Sequence, residues 1–436
     1  MSVSADTTTR RGAEANGGTP ALAFLCHPYH RGGVTRWMVD AAAEWRARGG
    51  ASWFVTPKPR AAFRSGGRRP TMVALVESCD ADVRPTLVAP LAGQEFEFGT
   101  AAYRTSVYAA AAREVPAGVP LVVSDDPSVW AAAASLATRN PFIGVLHSDD
   151  EPYYALARAY AGVAAALVCV SGRVERRARK VVGGEAGKVA TIPCGVPLRP
   201  LAAAPPEAAV RARLAWVGRV EEHQKRVLDL PRIAAGLRDA ELDFELTVVG
   251  DGPEVAALGD AVRAAGLADR VTFAGWQPTE RVWSLLTASD VMLLPSNFEG
   301  MPVSAMEALS AGCAVVASRV SGIEDYERHA FAAECLRVHQ IGDIAEAAAG
   351  VLGLLAQPES DRRRHARALA EAEFSIGACM DRYETLIEAL PRQAESSTPS
   401  RAMGDIWTRL VSYPVAAARA VRVRLGERRP ETGTVT

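Results

Sequence analysis

The chain holds 436 residues, 49% of them hydrophobic and 23% charged, with a formal net charge of −1. That length exceeds one ordinary domain and the mixture is that of a folded globular protein, which excludes fibrous, disordered and multi-span membrane chains. Near-neutrality removes any global attraction to nucleic acid or acidic lipid, so an electrostatic partner has to be met by a local patch.

In chain order, residues 1–19 are polar, and no apolar core follows Arg10 and Arg11, so no secretory signal is read there and a disordered N-terminus is expected. No run reaches the roughly 18 apolar residues of a membrane span, and a cytoplasmic protein is expected. From Ala21 onward short apolar runs alternate with longer helical patterns, the signature of βαβ units. Strands are predicted at 21–26, 51–55, 86–89, 120–124, 142–147, 166–170 and 189–192, with helices at 34–48 and 101–115 among them. Segment 198–212, with Pro200, Pro205 and Pro206, reads as a linker. The alternation restarts with strands at 214–217, 244–249, 271–274, 291–294 and 314–317, and helices beginning at Arg226, Pro253, Pro278 and Pro302. The fold class is therefore α/β, with two Rossmann-like doubly wound parallel-sheet domains, 20–197 and 213–373, around an interdomain cleft. Residues 374–392 carry a closing helix, and 393–436 form a basic tail with a helix near 406–425. The seven scattered cysteines show no CxxC pair or zinc spacing, which predicts small buried residues in a reducing compartment.

In open parallel sheets ligands bind beyond the carboxyl ends of the strands, so residues just past those ends come first. Gly218-Arg219 follows the strand LAWV, and Lys225 follows at an expected helix start. The chain has only four lysines, Lys58, Lys180, Lys188 and Lys225, so a lysine here is a marked choice. A guanidinium fork beside a compact ammonium suits a diphosphate. Gly250-Asp251-Gly252-Pro253 reads as a strand-turn-helix junction, and Val255 stands where a dinucleotide fingerprint would need its last glycine. In Glu299-Gly300-Met301-Pro302-Val303 through Glu307, Pro302 marks a helix start whose free amides favour an anion. Two carboxylates beside such a site fit best if they hold hydroxyls. Phe273-Ala274-Gly275-Trp276 ends a strand, with Phe273 expected in the core and Trp276 able to border a base. In the first half Gly32-Gly33 precede a helix, His147 ends the strand FIGVLH before Ser148-Asp149-Asp150, and Ser171 and Arg173 end the next strand.

Together these residues resemble glycosyltransferase family 4, retaining enzymes of the GT-B fold, over about residues 21–390. Gly218-Arg219 with Lys225 resembles the family's donor-phosphate motif, and Glu299 to Glu307 its E-x7-E motif. Gly250-Asp-Gly-Pro and Phe273-Ala-Gly resemble its structural turns. Gly32-Gly33, His147, Ser171 and Phe374-Ser375 resemble its other landmarks. The resemblance implies a metal-independent hexosyl transfer without cofactor, from a nucleotide-diphosphate sugar donor to a sugar, glycan or lipid-linked acceptor, in polysaccharide or glycolipid biosynthesis. It implies that Arg219 and Lys225 bind the diphosphate and Glu307 the ribose, that Glu299 and His147 contact the transferred sugar, and that backbone at Gly300, Met301, Pro302 and Val303 holds sugar and phosphate. Gly33, Gly218, Gly275 and Trp276 complete the implied donor site. Two positions depart from the family pattern: Arg226 where many members have glycine, and Pro197 where aspartate is usual.

The alternatives are a non-catalytic nucleotide-sugar-binding or scaffold protein and an NAD-dependent oxidoreductase; the missing glycine fingerprint weighs against the latter. Lys58, Arg60, Arg64, Arg68 and Arg69 form an acid-free basic loop, and residues 401–429 carry seven arginines among Trp407, Leu410, Val411 and Tyr413. Such segments suit peripheral contact with the inner face of an anionic membrane near a lipid-linked acceptor, with a disordered charged tail as the plainer reading.

Overall fold

A computed structural model describes residues 19–29, 32–58, 71–91, 99–201 and 211–390. The N-terminal stretch to residue 18, most of the basic loop and the C-terminal tail lie outside the described residues.

The apolar runs become two all-parallel sheets. The first contains β1 (Leu22–Leu25), β2 (Ser52–Val55), β3 (Thr86–Val88), β4 (Leu121–Val123), β5 (Phe142–Leu146), β6 (Ala166–Cys169) and β7 (Val189–Thr191). Its order is β3-β2-β1-β4-β5-β6-β7. The second contains β8 (Ala212–Val217), β9 (Phe244–Val249), β10 (Val271–Gly275), β11 (Val291–Leu294), β12 (Ala314–Ser318) and β13 (Leu336–His339), in the order β10-β9-β8-β11-β12-β13. Strands β1, β4, β5, β6, β11 and β12 are buried at every residue, as helices on both faces of a parallel sheet require. In each sheet the strand order reverses once, between β1 and β4 and between β8 and β11, and a crevice opens at such a switch point.

The chain crosses between lobes twice, side by side. Val196 pairs with Ser375 in a parallel bridge, and the amide of Val196 donates to Phe374 O at 2.7 Å. A Cβ on Gly195 would lie 2.5 Å from Ile376 Cα, so only glycine permits this approach. After the second crossing the helix Ile376–Ala389 lies on the helix Gly33–Ala47 of the first lobe. Buried Tyr383 sits there with its ring centroid 6.0 Å from that of Trp37. Arg48 reaches Asp381 and Gly377 O, both at 2.5 Å.

Four local expectations change. Lys225 ends the short helix Glu222–Lys225 instead of starting one. Arg226, expected to open a helix, is left-handed at φ 47°, and the following helix begins at Asp229. Phe273, expected in the core, is 38% exposed, because β10 is a sheet edge and its pairing with β9 shifts register between Phe273 and Gly275. Strand β13, absent from the sequence reading, is a four-residue edge strand whose middle residues are only half buried. The seven cysteines are free, and all but Cys79 are buried. Among the described residues no helix is long and apolar enough to cross a membrane.

Candidate functional site

The switch point of the second sheet gathers the charged residues. The segment after β8 supplies Gly218 and Arg219 and, at the end of its short helix, Lys225, and the segment after β11 supplies Ser296 through Pro302 and the helix start at Val303. Asn297 staples the two loops together: its amide donates to Gln224 O at 2.7 Å, its side-chain nitrogen donates to His223 O at 2.8 Å, and its side-chain oxygen accepts from Arg226 at 3.2 Å. The left-handed Arg226 also binds buried Asp229 at 2.7 Å, so its guanidinium offsets part of the strain that glycine would avoid.

Within this frame Glu299 is almost fully buried, and every partner it has is a donor. Lys225 Nζ lies 2.6 Å from its Oε1, Ser296 Oγ donates to the same oxygen at 2.7 Å, and Gln224 Nε2 donates to Oε2 at 3.2 Å. A buried carboxylate is tolerable only when so paired, and the arrangement fixes both charges in one geometry. Arg219, by contrast, keeps its guanidinium half exposed and lies 3.7 Å from Glu221. The glycine junction serves packing: a Cβ on Gly250 would fall 1.8 Å from Gly218 O, and one on Gly252 would fall 2.1 Å from Val220 O. Gly275, at φ 66°, accepts from the amide of Gly250 at 2.8 Å, and half-buried Trp276 follows it.

The helix Val303–Ser310 starts after Pro302 with no side-chain cap, and its first ladder bond runs from Ala305 N to Pro302 O at 3.0 Å. The amides of Val303 and Ser304 therefore precede the ladder, and partial positive charge gathers there. The first lobe closes on this start. A Cβ on Gly33 would meet Val303 Cβ at 2.8 Å, and one on Gly300 would meet His147 O at 2.1 Å. Asp149 N donates to Glu299 O at 3.1 Å, while Ser171 and Ser321 share a hydroxyl hydrogen bond of 2.6 Å across the seam. Arg173 forks onto Glu324, and Gly172 N donates to Asp325 at 2.9 Å. Met301 turns its side chain to packing: Sδ accepts from Cys194 N at 3.2 Å and from Tyr326 OH at 3.5 Å.

His147 is 6% exposed, with its ring edge-on to Trp37 at 4.9 Å between centroids. Burial pulls its basicity down to about 4, against a small opposing pull from Asp125, so the imidazole is neutral at neutral pH. Glu307 stands apart from Glu299, on the side facing the first lobe, in a small pocket lined with Arg36, Asp40, Pro197, Arg199 and Trp283. Burial, then the charge of Asp40, push its carboxyl up to about 7 against the pull of Arg36 and Arg199. Arg36 holds Asp40 at 2.7 Å in the same pocket.

The structure thus brings together Lys225 with Glu299, Gly33 with Val303 and His147 with Gly300, and leaves Arg219 half exposed and Glu307 in a pocket of its own. Gln224, Ser296, Arg36 and Asp40 were missed by sequence reasoning. Ser296 had a usable signal, its position at a strand's carboxyl end, whereas Gln224, Arg36 and Asp40 are ordinary helix residues until the fold places them.

Residues 31–199 match the family model for Glycosyltransferase Family 4, and residues 207–369 match the one for Glycosyl transferases group 1. Among characterised relatives, the amylovoran biosynthesis glycosyltransferase AmsK of Erwinia amylovora is 36% identical over 160 residues, 35% of this chain and 38% of that protein. The N-acetyl-alpha-D-glucosaminyl L-malate synthase of Bacillus anthracis is 32% identical over 164 residues, 37% and 42% of the two chains. The 2-deoxystreptamine glucosyltransferase of Streptomyces kanamyceticus is 36% identical over 112 residues, 26% of this chain. The chain spans only 29 to 42% of the length of these relatives. In fold it is similar to Anabaena HepE, solved with UDP and glucose, with a TM-score of 0.64 at 17% identity over 84% of this chain and 99% of that one. TarM of S. aureus, solved with UDP, aligns with a TM-score of 0.67 at 10% identity over 85% and 100%. Its two lobes, each matched by its own family model and together running from residue 31 to residue 369, make the chain a member of glycosyltransferase family 4 with the GT-B fold.

Proposed function

We propose that the chain is a retaining, metal-independent hexosyltransferase that moves a sugar from a nucleoside-diphosphate sugar to an acceptor hydroxyl in glycan or glycolipid synthesis. The observation that carries this reading is the buried Lys225–Glu299 pair at 2.6 Å, beside an uncapped helix start, with the next residue, Gly300, against the backbone of His147 in the opposite lobe. In the transfer, the bond from sugar C1 to the diphosphate oxygen breaks and a bond from C1 to the acceptor oxygen forms. The acceptor proton leaves on the diphosphate. Negative charge builds on the leaving group; Lys225 and the amides of Val303 and Ser304 are fixed donors for it, each worth up to about 3 kcal/mol of barrier lowering, and the half-exposed Arg219 adds its charge. Glu299 and His147 contact the sugar, the backbone of Gly300 to Val303 holds sugar and phosphate, and Glu307 binds the ribose. Gly33, Gly218, Gly275 and Trp276 border the donor.

Three donors hold Glu299 in place and Oε2, with one of them, keeps a lone pair for the sugar, which supports a role near developing positive charge because a carboxylate so held needs no reorganisation during the reaction. The donor is found first by a thermal-shift screen of UDP, GDP and ADP and their sugars, since a ligand of the native state raises apparent stability. With it, Glu299→Gln lowers kcat more than it weakens nucleotide binding, and Glu307→Gln mainly weakens nucleotide affinity. The reverse pattern overturns these two roles. Loss of transfer in excess EDTA overturns metal independence, and an inverted product linkage overturns the retaining assignment. The sequence of the basic loop and tail supports work at the inner face of a membrane. Equal liposome co-sedimentation by the whole chain and by one ending at Gln393 removes the tail from that reading.

A further inference from the structure

We infer that Cys194 is a positioning residue that selects the proton-bearing nitrogen of His147 and ties that histidine to the loop of Glu299. The inference rests on the proposed contact of His147 with the transferred sugar.

Cys194 sits at the end of the first lobe, just before the first crossing, and is 2% exposed. It faces two ways. Its thiol Sγ lies 3.5 Å from His147 Nδ1, and its backbone amide donates to Met301 Sδ at 3.2 Å. Met301 belongs to the Glu299-Gly300-Met301-Pro302 loop of the second lobe, so one residue touches the candidate sugar contacts of both halves.

The direction of the thiol contact follows from the chemistry of its two ends. Burial raises the Cys194 thiol well above its ordinary value, so it stays protonated. The imidazole is neutral, for the reason given above. A thiol sulfur is a weak acceptor, whereas the lone pair of a neutral imidazole nitrogen is a good one, so the S–H donates to Nδ1 and the ring proton resides on Nε2. His147 Nε2 is itself buried and meets no partner among the described residues. An N–H left without a partner in the interior is costly, and a hydroxyl oxygen of a bound sugar relieves that cost. The opposite tautomer would present a lone pair instead and select a different hydroxyl geometry. Cys194 thereby sets which hydrogen bond the histidine can offer.

The test labels histidine with nitrogen-15 and reads the tautomer of His147 from two-bond proton–nitrogen correlations in the ligand-free full chain, with the signal assigned by its loss in His147→Gln. The wild type and Cys194→Ser, which keeps a hydrogen-bond donor, are expected to show a protonated Nε2 and a bare Nδ1. Cys194→Ala is expected to show a mixture of tautomers with unchanged circular dichroism. With the donor found by the nucleotide screen, Cys194→Ala lowers kcat about three- to tenfold, the scale of one ordinary hydrogen bond, and Cys194→Ser recovers most of it. A protonated Nδ1 in the wild type, or the same tautomer in Cys194→Ala as in the wild type, overturns the inference. Full kcat in His147→Gln instead overturns the sugar contact of His147, and leaves the tautomer to be judged on the spectrum alone.

Discussion

Replacing Gly300 by alanine tests the closeness of the seam. The added Cβ would stand 2.1 Å from His147 O, 2.4 Å from its carbonyl carbon and 2.7 Å from Ser148 N, all backbone atoms. Ordinary contact needs 3.4 Å or more, so one backbone must give by about 1.3 Å. The loop has no room behind it, because a Cβ on Gly322 would already lie 2.7 Å from Gly300 O. Overpacking of this kind costs about 1–3 kcal/mol, and losing the Asp149–Glu299 backbone bond adds about 1 kcal/mol. For a lobe of this size the sum lowers Tm by about 5–15 °C if the lobes stay together. If they part instead, Tm holds but the two halves of the site separate by about 1 Å, which costs on the order of a hundredfold in kcat. The measurement pairs scanning calorimetry with sugar transfer at saturating donor. Gly259→Ala is the control, since its Cβ would meet only Arg263 Nη1 at 3.6 Å inside a helix, and it should stabilise by about 0.5–1 kcal/mol. A Gly300→Ala protein with wild-type Tm and kcat within threefold would refute the argument.

Two further outcomes follow from other parts of the site. Glu307 holds its proton up to about pH 7 in the folded chain against an ordinary 4.5, so unfolding releases a proton between those values and the group's contribution to stability falls as pH rises through that window. Glu307→Gln should therefore gain in Tm over the wild type from pH 5 to 7.5 and then level off; a pH-independent difference refutes the assignment. Arg226→Gly and Arg226→Ala both lose the contacts to Asp229 and Asn297, but only glycine relaxes the left-handed backbone, so chemical denaturation should find the alanine variant less stable by about 1 kcal/mol.

Much of the architecture is legible because a buried parallel strand must be apolar along its length, and runs such as FIGVL and VMLL are short, apolar throughout and bounded by turn residues. The positions past their carboxyl ends were legible for the same topological reason. Strand β13 was not, since LRVH at an edge sets a half-buried arginine and a buried histidine among its apolar residues. Neither was the left-handed turn at Arg226, where an ion pair to Asp229 and a hydrogen bond to Asn297 hold a backbone that a glycine would otherwise signal. The pairing of Lys225 with Glu299 joins residues 74 apart, and that of Cys194 with His147 joins residues 47 apart. Spacing in one dimension carries no trace of such contacts until the sheets are assembled.

The return of the helix Ile376–Ala389 to the first lobe has a consequence for how the chain is made. Trp37, with Phe24 beneath it, packs against Tyr383, a residue that emerges from the ribosome long after the strands it covers. At ordinary rates of synthesis about ten to forty seconds separate residue 199 from residue 389. Throughout that interval the nascent first lobe lacks the helix that packs on Trp37, and the second lobe completes its own sheet before the first is sealed.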